Sequence, residues 1–140
     1  MSIFPLQYFP PVPWFAAAIR EEEILLEVCQ HYRKQRYTNR MRVLASNRVL
    51  PLIIPLDRKG NKTPIGKKRI SYREEWQKQH WKSLESAYRA TPYFTYYEDA
   101  LAPLYFETHE MLLDFHLKGL EWVLTVLNHR VPLRLTDRYL

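Results

Sequence analysis

Residues 3–28 read IFPLQYFPPVPWFAAAIREEEILLEV, and this stretch decides the fold class. Ile3 to Phe9 has strand character, although Pro5 limits it to an edge or an irregular pairing. Pro10, Pro11 and Pro13 stiffen the turn that follows. Pro13 suits the first position of a helix running through Trp14, Phe15, the Ala16–Ala18 run and Ile19. In Glu23–Val28 the residues Ile24, Leu25 and Leu26 are contiguous, as in a short strand buried on both faces. Strand, helix and buried strand in that order predict a βαβ unit, and with it an α/β fold. In such sheets ligands collect beyond the carboxyl ends of the strands, here Gln7-Tyr8-Phe9-Pro10 and Glu27 to His31.

Further along, Thr38–Ala45 and Val49–Leu56 read as two strands joined by Ser46-Asn47-Arg48, and Ile65–Ile70 as a third. Ser71 with Glu74 forms a capping-box pattern, predicting a helix from near Tyr72 to about Ala90. Pro92 resets the chain. A second helix is expected over about Tyr93–Leu101, with Pro103 as the point where it stops or continues. Thr108 is placed to cap a third helix through about Asn128, with Met111, Leu112, Phe115, Trp122, Val123 and Val126 at helical spacing. Val131–Thr136 reads as a last strand. The expected architecture is a βαβ start and basic strands in a mixed sheet, with two or three helices packed on it. The 140 residues suit one such domain.

Composition removes several functions. The only glycines are Gly60, Gly66 and Gly119, too few and too scattered for a Walker loop, a dinucleotide-binding turn or a nucleophile elbow. A single cysteine, Cys29, excludes an internal disulfide and a thiolate zinc cluster. No apolar run reaches membrane-spanning length, and the Pro-rich start lacks a signal-peptide core, so a cytoplasmic location is expected. Charge is concentrated in one place. Residues 1–29 carry one Arg against four Glu (−3), residues 30–70 twelve Lys/Arg against Asp57 (+11), and residues 71–140 eight basic against ten acidic groups (−2). Such a block faces an anion, or it is a solvated ribbon whose edge is protected by Lys and Arg.

Two constellations stand out. If the strand at Thr38–Ala45 begins early, its period of two puts Gln35, Tyr37 and Asn39 on the face of Met41, Val43 and Ala45. Polar groups facing a core must bond one another or a ligand. The alternative is a loop or bulge before Tyr37. On the capped helix, Trp76, His80 and Leu84 recur four apart, with Trp81 and Tyr88 nearby. His80 is either a core histidine bonded to a carbonyl or a general acid/base. His109 and His116 are seven apart and not followed by zinc-protease spacing, and the chain lacks an Asp-x-Asp motif, so neither a metal nor a cofactor is expected. Tyr32, Tyr37 and Tyr72 lie among or beside the basic residues, which with a basic groove is a low-specificity pattern for single-stranded nucleic acid.

Several segments resemble one family in order. They are Gln7-Tyr8-Phe9-Pro10-Pro11, Tyr32-Arg33-Lys34-Gln35-Arg36-Tyr37-Thr38-Asn39-Arg40, Leu52-Ile53-Ile54-Pro55, Trp76 with His80-Trp81-Lys82-Ser83-Leu84, Ala87-Tyr88 and Pro92-Tyr93-Phe94. From Ile3 to about Tyr139 the chain resembles the WbqC-like protein family. The resemblance implies a bacterial protein associated with surface-polysaccharide and O-antigen genes, and a transferase role that includes transfer of glycine to a sugar. It assigns no catalytic residue. Arg36 departs from the small hydroxyl residue common in members, and similar proteins continue beyond the Thr136–Tyr139 region, where this chain stops at Leu140. A missing C-terminal segment is therefore expected. The leading expectation is an acyl- or aminoacyl-type transferase acting on a nucleotide- or lipid-linked sugar, a phosphate-bearing small molecule. Lys34, Arg40 and Arg42 would neutralise phosphate, and Gln35, Tyr37 and Asn39 would orient the sugar. Tyr8 and Trp81 would stack, with Gln7 and Tyr32 completing the binding set and His80 as base. The alternative is a non-enzymatic basic module for nucleic acid or an acidic partner.

Overall fold

In a computed structural model, residues 2–32, 37–45, 48–57 and 63–138 are described. The opening forms the expected crossover: β1 (Ile3–Pro5), α1 (Val12–Ala18) and β2 (Ile24–Glu27), with β1 and β2 parallel. Pro13 sits in the first helical positions, where its missing N–H costs nothing. Trp14 turns inward and its indole N–H donates to the Pro5 carbonyl at 3.0 Å. All four residues of β2 are buried, and the strand is paired on both edges, by β1 on one side and by β5 (Leu133–Leu135), also in parallel, on the other. The contiguous apolar run is thus the central strand of a three-stranded parallel sheet in the order β1-β2-β5.

The basic strands β3 (Arg40–Ala45) and β4 (Arg48–Ile53) pair antiparallel. Among the described residues they form their own two-stranded ribbon and do not extend the parallel sheet. Met41, Val43 and Leu52 face inward; Leu44 and Val49 face out. The third candidate strand is instead a 3₁₀ turn at Ile65–Lys67, flanked by isolated bridges at Pro64, Arg69 and Ile70. The Gly66 amide donates to the Val28 carbonyl at 2.8 Å, and a Cβ at Gly66 would lie 3.0 Å from the Val28 Cβ. A strand with a side chain there has no room to seat on the end of β2.

Three helices complete the fold: α2 (Trp76–Tyr88), α3 (Pro92–Phe106) and α4 (Leu112–Val126). α2 starts four residues later than the Ser71/Glu74 pattern predicts, and no side chain caps it. The preceding residues are held by tertiary bonds: the Ser71 amide donates to Pro55, and the Tyr72 hydroxyl donates to the His109 carbonyl at 2.7 Å. Thr108 likewise does not cap α4, which begins after Met111. α3 runs straight through Pro103 to Phe106. α4 ends with Asn128 at φ 58°, and the His129 amide reaches back to Leu124 and that of Asn128 to Thr125, a Schellman closure. One apolar core lies around the parallel sheet and α1, and a second lies between the ribbon and α2–α4, with α4 contributing to both.

Candidate functional site

β1 ends two residues before Gln7 and delivers Tyr8 into the second core, where it is 2% exposed. The Tyr8 amide donates to the Tyr37 carbonyl, which ties the end of β1 to the chain entering the ribbon. Its hydroxyl sits between two partners, Tyr105 Oη at 2.7 Å and His80 Nδ1 at 2.9 Å. The other His80 nitrogen, Nε2, lies 3.1 Å from the Ile53 carbonyl. That carbonyl can only accept, so the neutral imidazole carries its proton on Nε2 and Nδ1 must accept. Tyr8 therefore donates to His80, and Tyr105 donates to Tyr8. Every hydroxyl and ring nitrogen in this relay is satisfied by one arrangement of protons.

Burial holds the relay neutral. Desolvation pushes the His80 imidazole down to about 4, against the smaller opposing effect of its bond to Ile53. Burial also raises the phenols of Tyr8 and Tyr105, the former with a contribution from Tyr105. His116 is built on the same plan: its Nε2 bonds the Thr38 carbonyl, and desolvation again pushes it down to about 4. His109 donates to the Leu104 carbonyl at 2.9 Å, and burial is the main cause that lowers it. Three histidines, His80 on α2, His116 on α4 and His109 in the loop between α3 and α4, thus each engage a backbone carbonyl. Among the described residues no three His, Cys, Asp or Glu side chains come together as a metal-binding group.

At the carboxyl ends of β2 and β5 a second polar cluster forms. Glu27, 8% exposed, accepts from the Cys29 amide at 2.7 Å and from the Thr136 hydroxyl at 3.1 Å. Thr136 in turn accepts from the Val28 amide, and the Cys29 thiol donates to the Thr136 carbonyl at 3.4 Å. Beyond it, the Tyr32 hydroxyl reaches Asn39 Oδ1 at 3.4 Å, and the Lys68 ammonium lies 5.3 Å from the centre of the Tyr32 ring. Asn39 is buried and donates to the Ile54 carbonyl at 2.8 Å.

The structure therefore gathers Tyr8, Tyr32, Tyr37 and Asn39 where β1 meets the start of the ribbon. Gln7 is half-buried beside Tyr8, in a niche with Pro10 and Gly119 that leaves no room for a water-sized group. Lys34 and Gln35 lie outside the described residues. The expected inward parity holds for Asn39, Met41 and Val43 but fails at Tyr37, which is 49% exposed because it sits in a turn before β3. Tyr8 and Trp81 do not form an exposed stacking wall. Trp81 is buried among Phe94, Tyr105 and Phe106. His80 is 3% exposed with both nitrogens engaged, so any influence on a substrate runs through Tyr8. Arg40 is partly buried with its Nε unpaired, and Arg42 is exposed.

Sequence reasoning missed Tyr105 and the Glu27–Cys29–Thr136 cluster. A carboxylate ending an otherwise apolar central strand was the available signal for the cluster. Nothing local marks Tyr105, whose partner is 97 residues away.

A short parallel sheet entered by a βαβ unit, a separate basic ribbon and a histidine-bearing helical layer define a small α/β domain with its polar groups at the sheet's carboxyl edge. The chain belongs to the WbqC-like protein family, whose model matches residues 6–139. A relative from Mycobacterium tuberculosis (strain ATCC 25618 / H37Rv), "Uncharacterized protein Rv1507c", is 27% identical over 107 residues. That match covers 76% of this chain and 46% of the relative, so the chain spans less than half of that protein's length. No solved structure matches significantly. Among the described residues no helix is long and apolar enough to cross a membrane.

Proposed function

We propose that this domain serves a transferase of bacterial surface-polysaccharide or O-antigen assembly, acting in the cytoplasm. It moves an acyl or aminoacyl group, such as glycine, onto a nucleotide- or lipid-linked sugar. The observation that carries this reading is the convergence of Tyr8, Tyr32, Tyr37 and Asn39 with the Glu27–Thr136 cluster at the carboxyl ends of parallel strands, where α/β sheets place their ligands. Arg40 and Lys34 supply positive charge for a phosphate. Tyr37, Gln35, Gln7 and Tyr32 orient sugar hydroxyls, and the buried Asn39, bonded to Ile54 and Tyr32, positions the Tyr32 hydroxyl. His80 acts as a positioning residue that fixes the direction of the Tyr8 hydroxyl, and Trp81 supports that layer from within the core.

The test is a thermal-shift screen with UDP-N-acetylglucosamine, glycine, acetyl-coenzyme A and a short single-stranded oligonucleotide, each at low and near-physiological salt. A ligand that binds only the folded state raises the midpoint by mass action. The expected result is a salt-resistant shift with the nucleotide sugar that Arg40→Ala removes. A shift from the oligonucleotide alone, surviving near-physiological salt, overturns the reading in favour of a nucleic-acid module.

A further inference from the structure

On the other side of Phe9 from the tyrosine relay, the ribbon and the helical layer do not close on each other. They leave an open cavity of about 370 Å³ between the inner face of β3 and helices α2, α3 and α4. Its aliphatic surface comes from Met41, Val43, Leu84 and Leu101, and aromatic rings from Phe9 and Trp122 flank it. This is the size range of small-molecule sites. Water suits it poorly, because a held water needs two to four polar partners and these walls are mostly apolar. Displacing such water with hydrocarbon is favourable.

Two features mark the cavity as a site and not a packing fault. Phe9 is held at φ 42°, immediately before Pro10, a left-handed conformation that a bulky residue adopts only when its surroundings impose it. Its ring packs on Trp122 at 6.2 Å. At the solvent side stands Arg42, exposed, with its guanidinium 5.6 Å from the centre of the Tyr37 ring. No carboxylate among the described residues forms an ion pair with it.

We propose that this cavity binds a medium-length acyl chain bearing an anionic head group, with the chain against Val43, Leu84 and Leu101 and the head at Arg42. At about 30 Å³ per water-sized group the space holds roughly a dozen such groups. The site stands on the cavity and its charge, whether or not the domain catalyses transfer.

Calorimetric titration with decanoate, above neutral pH and below its micelle concentration, tests the assignment against decylammonium, which has the same chain and the opposite charge. Saturable binding of one decanoate is expected, about tenfold tighter than decylammonium. Arg42→Glu, a change at an exposed side chain, reverses that preference. Val43→Phe fills the cavity and abolishes binding of both. Circular dichroism shows whether that variant folds, and if it does not, the charge reversal decides alone. Absence of saturable decanoate binding, equal affinity for the two head groups, or an unchanged preference in Arg42→Glu each overturns the proposal. None of these results bears on the nucleotide-sugar shift that tests the transferase reading.

Discussion

The two cores of this domain are made of different materials. Around the parallel sheet, Phe4, Leu6, Ile24, Leu26, Val28, Leu120 and Leu124 exclude water with almost no polar group among them. Between the ribbon and the helices, the apolar set is threaded by Tyr8, His80, Tyr105 and His116, each bonded to a fixed partner. Apolar packing is non-directional and tolerates small shifts. A buried hydroxyl or imidazole does not, because losing its partner leaves the full desolvation cost. The first core thus supplies cohesion while the second fixes orientation, and the candidate site draws on both: Tyr8 comes from the second, Tyr32 and the Glu27–Thr136 cluster from the edge of the first.

Acid should separate the two most strongly. His80 and His116 have folded-state values near 4, below the ordinary value near 6.5 that applies to the unfolded chain. Between those limits the unfolded state binds more protons, so stability is full above about pH 6.5 and is lost as the pH falls towards 4. The expected loss is up to about 3 kcal/mol for each histidine. Denaturant midpoints across this range measure it, and a midpoint that stays flat would contradict the burial of both rings. The next largest effect lies in the first core. Leu26→Ala, at a fully buried position, should cost about 2–5 kcal/mol with no change in the shape of the pH profile.

Tyr8→Phe sharpens the contrast, because it removes one oxygen and almost no volume. It strands His80 Nδ1 and the Tyr105 hydroxyl, and a loss of about 1–3 kcal/mol in urea unfolding is expected. A variant as stable as the parent would show that the relay does not hold the core in register. At the other extreme, Arg134→Ala removes an exposed ion pair with Glu23, 3.4 Å long, between two strand-edge segments. The thermal midpoint should move by no more than a change of about 0.5 kcal/mol implies.

The same contrast explains what could be read from the sequence. The βαβ start was legible because the contiguous Ile24–Leu26 run and Pro13 are local signals for a buried strand and a helix start. The ribbon was legible in Met41 and Val43 alternating with Arg40 and Arg42. Helix starts were not: Ser71 and Glu74 spell a capping box, but the Ser71 amide bonds Pro55 and Tyr72 bonds His109, and tertiary contacts displaced the local preference. Within the site, Tyr8 and His80 were visible as residues of interest. Their bonding to Tyr105 and Ile53 was not, since those partners are 97 and 27 residues away and carry no periodicity. The cavity was hidden for the same reason, its walls coming from the ribbon and three helices.

The place of β5 has a consequence for how the chain comes off the ribosome. β2 is the central strand, yet its second neighbour is Leu133–Leu135, more than 100 residues later. Until that segment emerges, one edge of an almost wholly apolar strand has unpaired backbone groups while the ribbon and all three later helices are being made. Closing such a distant pairing is slow, and the open edge is a template for other chains in the meantime. Nascent chains halted before residue 133 should therefore be the species that holding chaperones retain, and release should follow synthesis of three residues that contribute little surface of their own.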